Sequence, residues 1–368
     1  MKKNTFPINK INTVKLGDSI EELKLIPDNS VDLIFADPPY NMQLDGILKR
    51  VDGSEFKGVE GSKWDEFESI EDYKKFTYEW LKEAKRILKK NKSSLWVIGS
   101  FQNIYLVGNI LQELGFWIIN DVIWSKTNPT PNFMGTKFTN KQETLLWATP
   151  SKKTKYTFNY KTMKELNGGK QMTSIWEIPV STGNERLKDN NGEKLHPTQK
   201  PEKLLYNIII SSTQKGDLIL DPFSGTGTTA ALAKRLGRKY FAIEKDTKYY
   251  KYSVERINLE IEKSDDYINA KFDIKPPIVK FKELVEKQYI FNNEKVYFKK
   301  TELYANISEE KELYYEGKHY GISKLGGILS GIESNVNGWE VWYVERNGEK
   351  VSISDIRDEY RDKELNFK

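Results

Sequence analysis

Short apolar runs recur through the first two thirds of the chain, separated by longer stretches in which apolar positions return every three or four residues. Strand-like runs fall at 31–36, 94–98, 117–124, 144–148, 218–220 and 240–243. Helical spacing fills 69–89, 102–114, 201–212, 228–236 and 245–262. This alternation predicts an α/β domain on a parallel sheet with helices on both faces. The first helix is expected to open after Ser69, with Asp72 three residues on, and to end in a basic Lys-Lys-Asn-Lys run suited to the helix dipole. The second is expected to stop at Gly115.

Two stretches break the alternation. Residues 41–63 and 150–195 are rich in Gly, Asn and Lys, with weak periodicity, and read as long loops. Residues 264–277, ending in Pro276-Pro277, read as a linker. Beyond it the composition changes to short β-like runs (295–298, 339–344), frequent glycines and a terminal helix near 354–363. The expected organisation is a main domain over 1–265 with an inserted segment at 124–195, a linker at 266–278, and a small α+β domain at 279–368.

Composition narrows the class. The 368 residues carry 38% hydrophobic side chains and no long apolar run, so a membrane span is not expected. The N-terminal Met-Lys-Lys-Asn-Thr-Phe-Pro lacks the apolar stretch of a signal peptide, and the expected compartment is the cytoplasm. There is no cysteine and there are only two histidines, His196 and His319, so thiolate and His-rich metal sites are excluded and no metal is expected. The net charge of +5 is uneven. Residues 124–203 hold 14 Lys+Arg against 7 Asp+Glu, whereas residues 272–368 hold 16 against 18. A basic internal segment is the footprint expected for phosphate binding.

Candidate chemistry begins at residues 31–40, Val-Asp-Leu-Ile-Phe-Ala-Asp-Pro-Pro-Tyr. Pro38 and Pro39 have no N–H and cannot continue a central strand. The strand must stop at the carboxyl edge of the sheet, where open α/β sheets keep their ligand crevices. Asp37, the Pro38 carbonyl and the Tyr40 ring together suit a planar base bearing an amino group. A second motif is Leu218-Ile-Leu-Asp-Pro-Phe-Ser-Gly-Thr-Gly-Thr-Thr. Here a strand ends at Asp221, Gly225 and Gly227 make a tight turn, and a helix opens at Thr228. Glu244 closes the next strand, placed to accept from ribose hydroxyls. Negative charge at Asp221, beside Phe223, opposes a dinucleotide pyrophosphate and suits a cationic sulfonium. No Gly-Lys-Ser/Thr follows, which excludes a P-loop.

Asp-Pro-Pro-Tyr (37–40) resembles the catalytic motif of methyltransferases acting on adenine N6 or cytosine N4. Phe-Ser-Gly-Thr-Gly-Thr-Thr (223–229) is similar to the S-adenosylmethionine motif of that family, with a serine where relatives often carry a second aromatic. His-Pro-Thr-Gln-Lys-Pro (196–201) resembles its segment closing over the cofactor, and Gly17-Asp18 its contact to the cofactor's adenine. The order of motifs is the permuted β-class arrangement. Further runs, including Asn-Asp-Val-Ile-Trp-Ser-Lys-Thr-Asn-Pro (120–129) and Asn-Gly-Trp-Glu-Val-Trp (337–342), are similar to the cell-cycle-regulated adenine methyltransferases of bacteria. The resemblance implies a Rossmann-like S-adenosylmethionine-dependent sheet, a C-terminal DNA-recognition domain, and methylation of adenine N6 within GANTC. It also implies a bacterial protein working on the nucleoid, and a homodimer, since members of the class often dimerise. The class leaves room for a restriction endonuclease partner.

On this reading Asp37, Pro38, Pro39 and Tyr40 are the candidate catalytic residues. Asp18, His196, Thr198, Gln199, Lys200, Asp221, Phe223, Gly225, Gly227, Thr228 and Glu244 are the candidate cofactor residues. Double-stranded DNA is the expected partner, its target base flipped out of the duplex. Lys126, Asn128, Lys137, Lys141, Lys152, Lys153 and Lys155 are candidate DNA contacts, with Met42 and Leu44 as a wedge into the vacated stack. In the C-terminal domain the candidates are Asn337, Trp339, Arg357 and Arg361. An N4-cytosine enzyme and a catalytically dead DNA-binding protein are the competing readings.

Overall fold

The structure is a computed structural model that describes residues 11–41, 67–132, 135–189, 192, 194–332, 334, 336–365 and 367. The chain divides into two compact units, Met1–Asp273 and Ile274–Lys368.

In chain order the first unit comprises β1 (Thr13–Leu16), α1 (Ser19–Lys24), β2 (Leu33–Ala36), α2 (Ile70–Ile87), β3 (Ser94–Gly99), α3 (Ile104–Glu113), β4 (Trp117–Lys126) and β5 (Gln142–Thr149). It continues with α4 (Tyr160–Leu166), β6 (Ile175–Ile178), α5 (Glu202–Ser212), β7 (Leu218–Asp221), α6 (Thr228–Arg235), β8 (Lys239–Glu244) and α7 (Thr247–Leu259). Eight strands form one sheet in the order β1-β8-β7-β2-β3-β5-β4-β6. The sheet is mixed: β5 runs antiparallel to both β3 and β4, and the other pairings are parallel.

Strand alternation sends successive side chains to opposite faces, and both faces are buried. Leu33, Phe35, Trp96 and Ile98 join one core with residues of α5 and α6. Ile34, Ala36, Leu95 and Val97 join the other with Trp80, Leu81 and Ala84 of α2 and Val107 and Leu111 of α3. The expected helix signals are present. Ser69 caps α2 by accepting from the Asp72 amide at 3.1 Å, and Gly115, at φ +72°, follows the end of α3.

Two elements lie where a long loop was expected, α4 and β6. In the first turn of α4 the amides of Lys161 and Thr162 donate to the Asp273 carboxylate at 2.9 and 2.8 Å. The cap comes from more than a hundred residues away, so no local signal announces the helix. Residues 264–273 of the expected linker thus belong to the first unit. Ile268 is buried there, and its carbonyl accepts from Arg238 at 2.7 Å.

The second unit holds α8 (Phe281–Glu286), β9 (Lys295–Phe298), β10 (Tyr304–Ile307), β11 (Leu313–Tyr315), β12 (Lys318–Tyr320), α9 (Ile322–Leu329), α10 (Gly338–Val341), β13 (Trp342–Arg346), β14 (Glu349–Ser352) and α11 (Ile353–Leu365). Its sheet runs β12-β11-β10-β9-β13-β14, antiparallel throughout. Trp342 centres the core, fully buried, with its indole N–H donating to the Ile322 carbonyl at 2.8 Å. Gly338–Val341 is a helical turn rather than the start of the expected strand, because Asn337 caps it by accepting from the Trp339 amide. No described helix is long and apolar enough to cross a membrane.

Candidate active site

Parallel register places the carboxyl ends of β2, β7 and β8 side by side. Leu33 pairs with Ile219, and Asp221 with Ala242. Asp37 thus follows β2 next to Asp221 at the end of β7, and Glu244 ends β8. The two sequence motifs, nearly two hundred residues apart, meet at one edge of the sheet.

The glycine turn is built by close approach. Gly227 sits at φ +76° at the start of α6, and a Cβ there would lie 2.8 Å from the Ser253 Cβ. Glu244 shapes the same turn: one oxygen accepts from the Gly225 amide and the other from the Asp246 amide, each at 2.7 Å. Asp221 is buried and accepts from the Phe223 amide at 3.0 Å. Burial raises both carboxyls, Asp221 to about 7 and Glu244 to about 7. The Ser224 hydroxyl is buried with no partner among the described residues. A tight glycine turn, a buried Ser224 hydroxyl with no partner among the described residues and the buried Asp221 carboxyl at the strand end fit an aminoacyl sulfonium such as S-adenosylmethionine.

The neighbouring candidates serve the cradle in different ways. The His196 ring lies beside Gly225 and 4.6 Å from the Tyr249 ring. Its Nδ1 accepts from the Thr198 amide at 3.2 Å. Burial, with Lys200 and Arg186 nearby, lowers its pKa to about 3, so the imidazole is neutral. Gln199 bonds to the Leu187 amide and the Glu185 carbonyl and holds the loop. Thr228 is buried and accepts from Arg256 at 2.8 Å. Phe223 turns its ring away, onto Phe76 and Trp80. Asp18 caps α1 and pairs with Lys245 at 3.2 Å.

Lys200, expected with the cofactor residues, reaches Asp37: Nζ to Oδ2 is 2.7 Å. Around this pair stand residues that the motifs did not name. The Tyr40 hydroxyl donates to Glu143 at 3.0 Å, and Lys126 pairs with Glu143 at 2.8 Å. Tyr73 donates to the Pro39 carbonyl and accepts from Asn103, both at 3.0 Å, fixing the Pro-Pro turn. Pro38 is buried and Pro39 half-buried. Arg186 binds the carbonyls of His196, Pro197 and Ser181 and shapes the loop before α5. Glu143 is the second residue of β5, and nothing local in the sequence ties it to Tyr40 or Lys200.

The basic segment does not form one patch. Lys126 is taken by Glu143, and Asn128 accepts from the Val180 amide at 2.8 Å. Lys137 and Lys141 are exposed in the loop between β4 and β5, on the Asp37 edge of the sheet. Lys152, Lys153 and Lys155 are exposed too, but at the opposite edge. β5 is antiparallel to β3, with Gly99 opposite Thr144 and Leu95 opposite Ala148, so the chain leaves β5 beside the start of β3. Six strand residues separate the two edges by about 20 Å. Met42 and Leu44 lie outside the described residues.

In the second unit Asn337 is exposed, and Trp339 is half-buried with the Arg357 guanidinium 4.6 Å from its ring centroid. Arg361 does not share a free face with Arg357. It is buried and donates twice to the Pro277 carbonyl, at 3.0 and 2.8 Å, and to Asp358 at 2.7 Å. Arg361→Ala is expected to cost the unit about 1.5–3 kcal/mol, the scale of hydrogen bonds to a charged group. A lower melting temperature with an unchanged salt dependence of DNA binding is the expected pattern.

Known proteins resemble this chain over most of its length. A family model described as DNA methylase matches residues 31–255. The chain is 47% identical over 350 residues to the Type II methyltransferase M.HinfI of Haemophilus influenzae, covering 95% of this chain and 97% of that one. It is 43% identical over 247 residues to the Type II methyltransferase M2.DpnII of Streptococcus pneumoniae, covering 67% and 89%. The crystal structure of an M1.HpyAVI–SAM complex superposes with a TM-score of 0.50 at 25% identity, over 67% of this chain and 99% of that one. The PvuII DNA methyltransferase (cytosine-N4-specific) superposes at 0.54 with 21% identity, over 71% and 91%, a likeness of fold. With the Asp-Pro-Pro-Tyr turn and the glycine cradle at one sheet edge, these matches place the chain in the N6/N4 DNA methylase family.

Proposed function

We propose that this DNA methyltransferase moves a methyl group from S-adenosylmethionine to N6 of adenine in duplex DNA, within GANTC, after flipping the base. The observation that carries the reading is the pairing of β2 with β7, which brings Asp37, just past β2, within electrostatic reach of Asp221 at the end of β7 and so sets an amino-group acceptor near a cation cradle. Asp rather than Ser before Pro-Pro-Tyr favours adenine over cytosine. GANTC rests on the resemblance to the cell-cycle-regulated enzymes, including the 337–342 run of the second unit. The same reading assigns the exposed Lys137 and Lys141 to phosphates and leaves Trp339 and Asn337 for the DNA.

The cofactor supplies a methyl group made electrophilic by a sulfonium. Asp221, Glu244 and the glycine turn hold it. Asp37 and the Pro38 carbonyl accept from the target amino group, whose lone pair is otherwise delocalised into the ring. Accepting both N–H bonds localises that pair and stabilises the positive charge that grows on nitrogen. As the N–C bond forms, the S–C bond breaks and its electron pair stays on sulfur. The nitrogen then sheds a proton, and the Asp37 carboxylate is the adjacent acceptor.

The Asp221 carboxyl near 7 gives this binding mode a pH signature. A cationic ligand binds the ionised form, so affinity for S-adenosylmethionine should be full above pH 7 and weaken by up to about tenfold per unit below it. Calorimetry between pH 6 and 8 should also show proton release at the acid end. A flat dissociation constant across that range contradicts the assignment of Asp221. The sequence target is tested by treating unmethylated plasmid and mapping modified positions. Modification confined to GANTC supports the reading, and any other pattern overturns the target while keeping the enzyme class.

A further inference from the structure

The charged cluster at Asp37 is fuller than amino-group recognition alone requires. Lys200 Nζ lies 2.7 Å from Asp37 Oδ2, 3.8 Å from Glu143 Oε2 and 5.1 Å from the centroid of the Tyr40 ring. Its side chain is 6% exposed and that of Asp37 only 19%. One ammonium thus occupies the acceptor meant for the target amino group and a face of the ring meant for stacking. The geometry points to Lys200 as a positioning residue for the transfer. It holds Asp37 ionised and oriented in the empty pocket, and it passes to Glu143 when the target amino group arrives. The inference rests on the reading of this pocket as an amino-group methylation site.

Electrostatics give the reason for both halves of the exchange. A carboxyl this buried is driven toward its neutral form, and a neutral Asp37 is a poor acceptor for an amino group becoming cationic. Burial does raise Asp37, with Glu143 adding to the rise, while Lys200 and the Tyr40 hydroxyl oppose it. Asp221 faces it from β7, and Lys126 acts through Glu143. Once the amino group is in place, an ammonium on the same carboxylate repels the charge growing on nitrogen. Glu143 offers an anion close to the present Lys200 position. It is held ready by Lys126 on its other oxygen and by the Tyr40 hydroxyl. Burial pushes Glu143 up, but Lys200 and Lys126 outweigh it and leave Glu143 below the usual carboxylate range, so it stays charged. Two carboxylates and two ammoniums then balance whichever partner Lys200 takes.

The test is the pH profile of single-turnover methyl transfer by the full-length enzyme at saturating DNA and cofactor, for wild type, Lys200→Met and Lys200→Arg. Removing the ammonium should let the Asp37 pKa rise, so the acid limb of the Lys200→Met profile should move up by about one to three pH units. Its rate should fall at pH 7 and recover toward pH 9, and Lys200→Arg should keep a limb near that of wild type. A Lys200→Met rate lowered equally at every pH, or not lowered at all, overturns the inference. Glu143→Gln provides a second arm, read by the fluorescence of 2-aminopurine at the target position. Without the second anion Lys200 should stay on Asp37, and the flipped-base signal should drop with a raised KM for DNA. A signal equal to wild type overturns the exchange. Failure of the wild-type enzyme to methylate any base sinks the underlying reading instead, so the two failures are distinct.

Discussion

Asp37→Ala is expected to lower methyl transfer by about 10²–10³-fold or more while cofactor and DNA binding survive. The size follows from what the carboxylate does. It is the charged acceptor at the end of β2, it lies where positive charge develops on the amino nitrogen, and its surroundings exclude most water. A preorganised group of this kind acts on the transition state far more than on the bound ground state, so the loss should appear in the single-turnover rate rather than in KM. Without Asp37, Tyr40 and Lys126 still have Glu143 as a partner, and Lys200 has it within 3.8 Å, which should keep the pocket folded. Asp37→Asn, which keeps an acceptor oxygen without the charge, should fall between. Residual turnover above about a tenth of wild type would remove Asp37 from the centre of the account.

The second large effect is structural. Gly227→Ala should destabilise the first unit by about 2–4 kcal/mol, combining the cost of a left-handed alanine with that of overpacking. The backbone there is at φ +76°, and the new methyl would stand 2.8 Å from Ser253 Cβ and 3.2 Å from Ser253 Cα on α7. Neither neighbour is the free end of a flexible side chain, so α6 and α7 must part or the turn must open. Denaturant melts should show the loss directly. Affinity for S-adenosylmethionine should fall with it, because the same turn carries the Gly225 amide bound to Glu244. A melt equal to wild type would show that α7 yields more easily than this packing indicates.

What the sequence makes legible is what is local. The Pro38-Pro39 stop, the Gly225–Gly227 turn, the Ser69 cap and the alternation of β2 and β3 each depend on a few consecutive residues, and each stands where it was expected. What stayed hidden depends on partners far along the chain. α4 is capped by Asp273, Arg361 is buried against Pro277, and Lys126 and Lys200 converge on Glu143. Charge counting merges lysines that strand direction separates, since β5 carries Lys152, Lys153 and Lys155 away from the edge that holds Lys137 and Lys141. Motif residues likewise divide once their contacts are visible. Asp221 and Gly225 face the cradle, whereas Phe223 and Thr228 face the core and α7.

The most direct measurement is the identity of the methylated nucleoside. The enzyme is incubated with methyl-labelled S-adenosylmethionine and unmethylated duplex DNA, and the product is digested to nucleosides and resolved by mass. The account predicts label in N6-methyladenine alone, absent from the Asp37→Ala reaction run in parallel. Label in N4-methylcytosine, or none in any base with cofactor and DNA both bound, would contradict it.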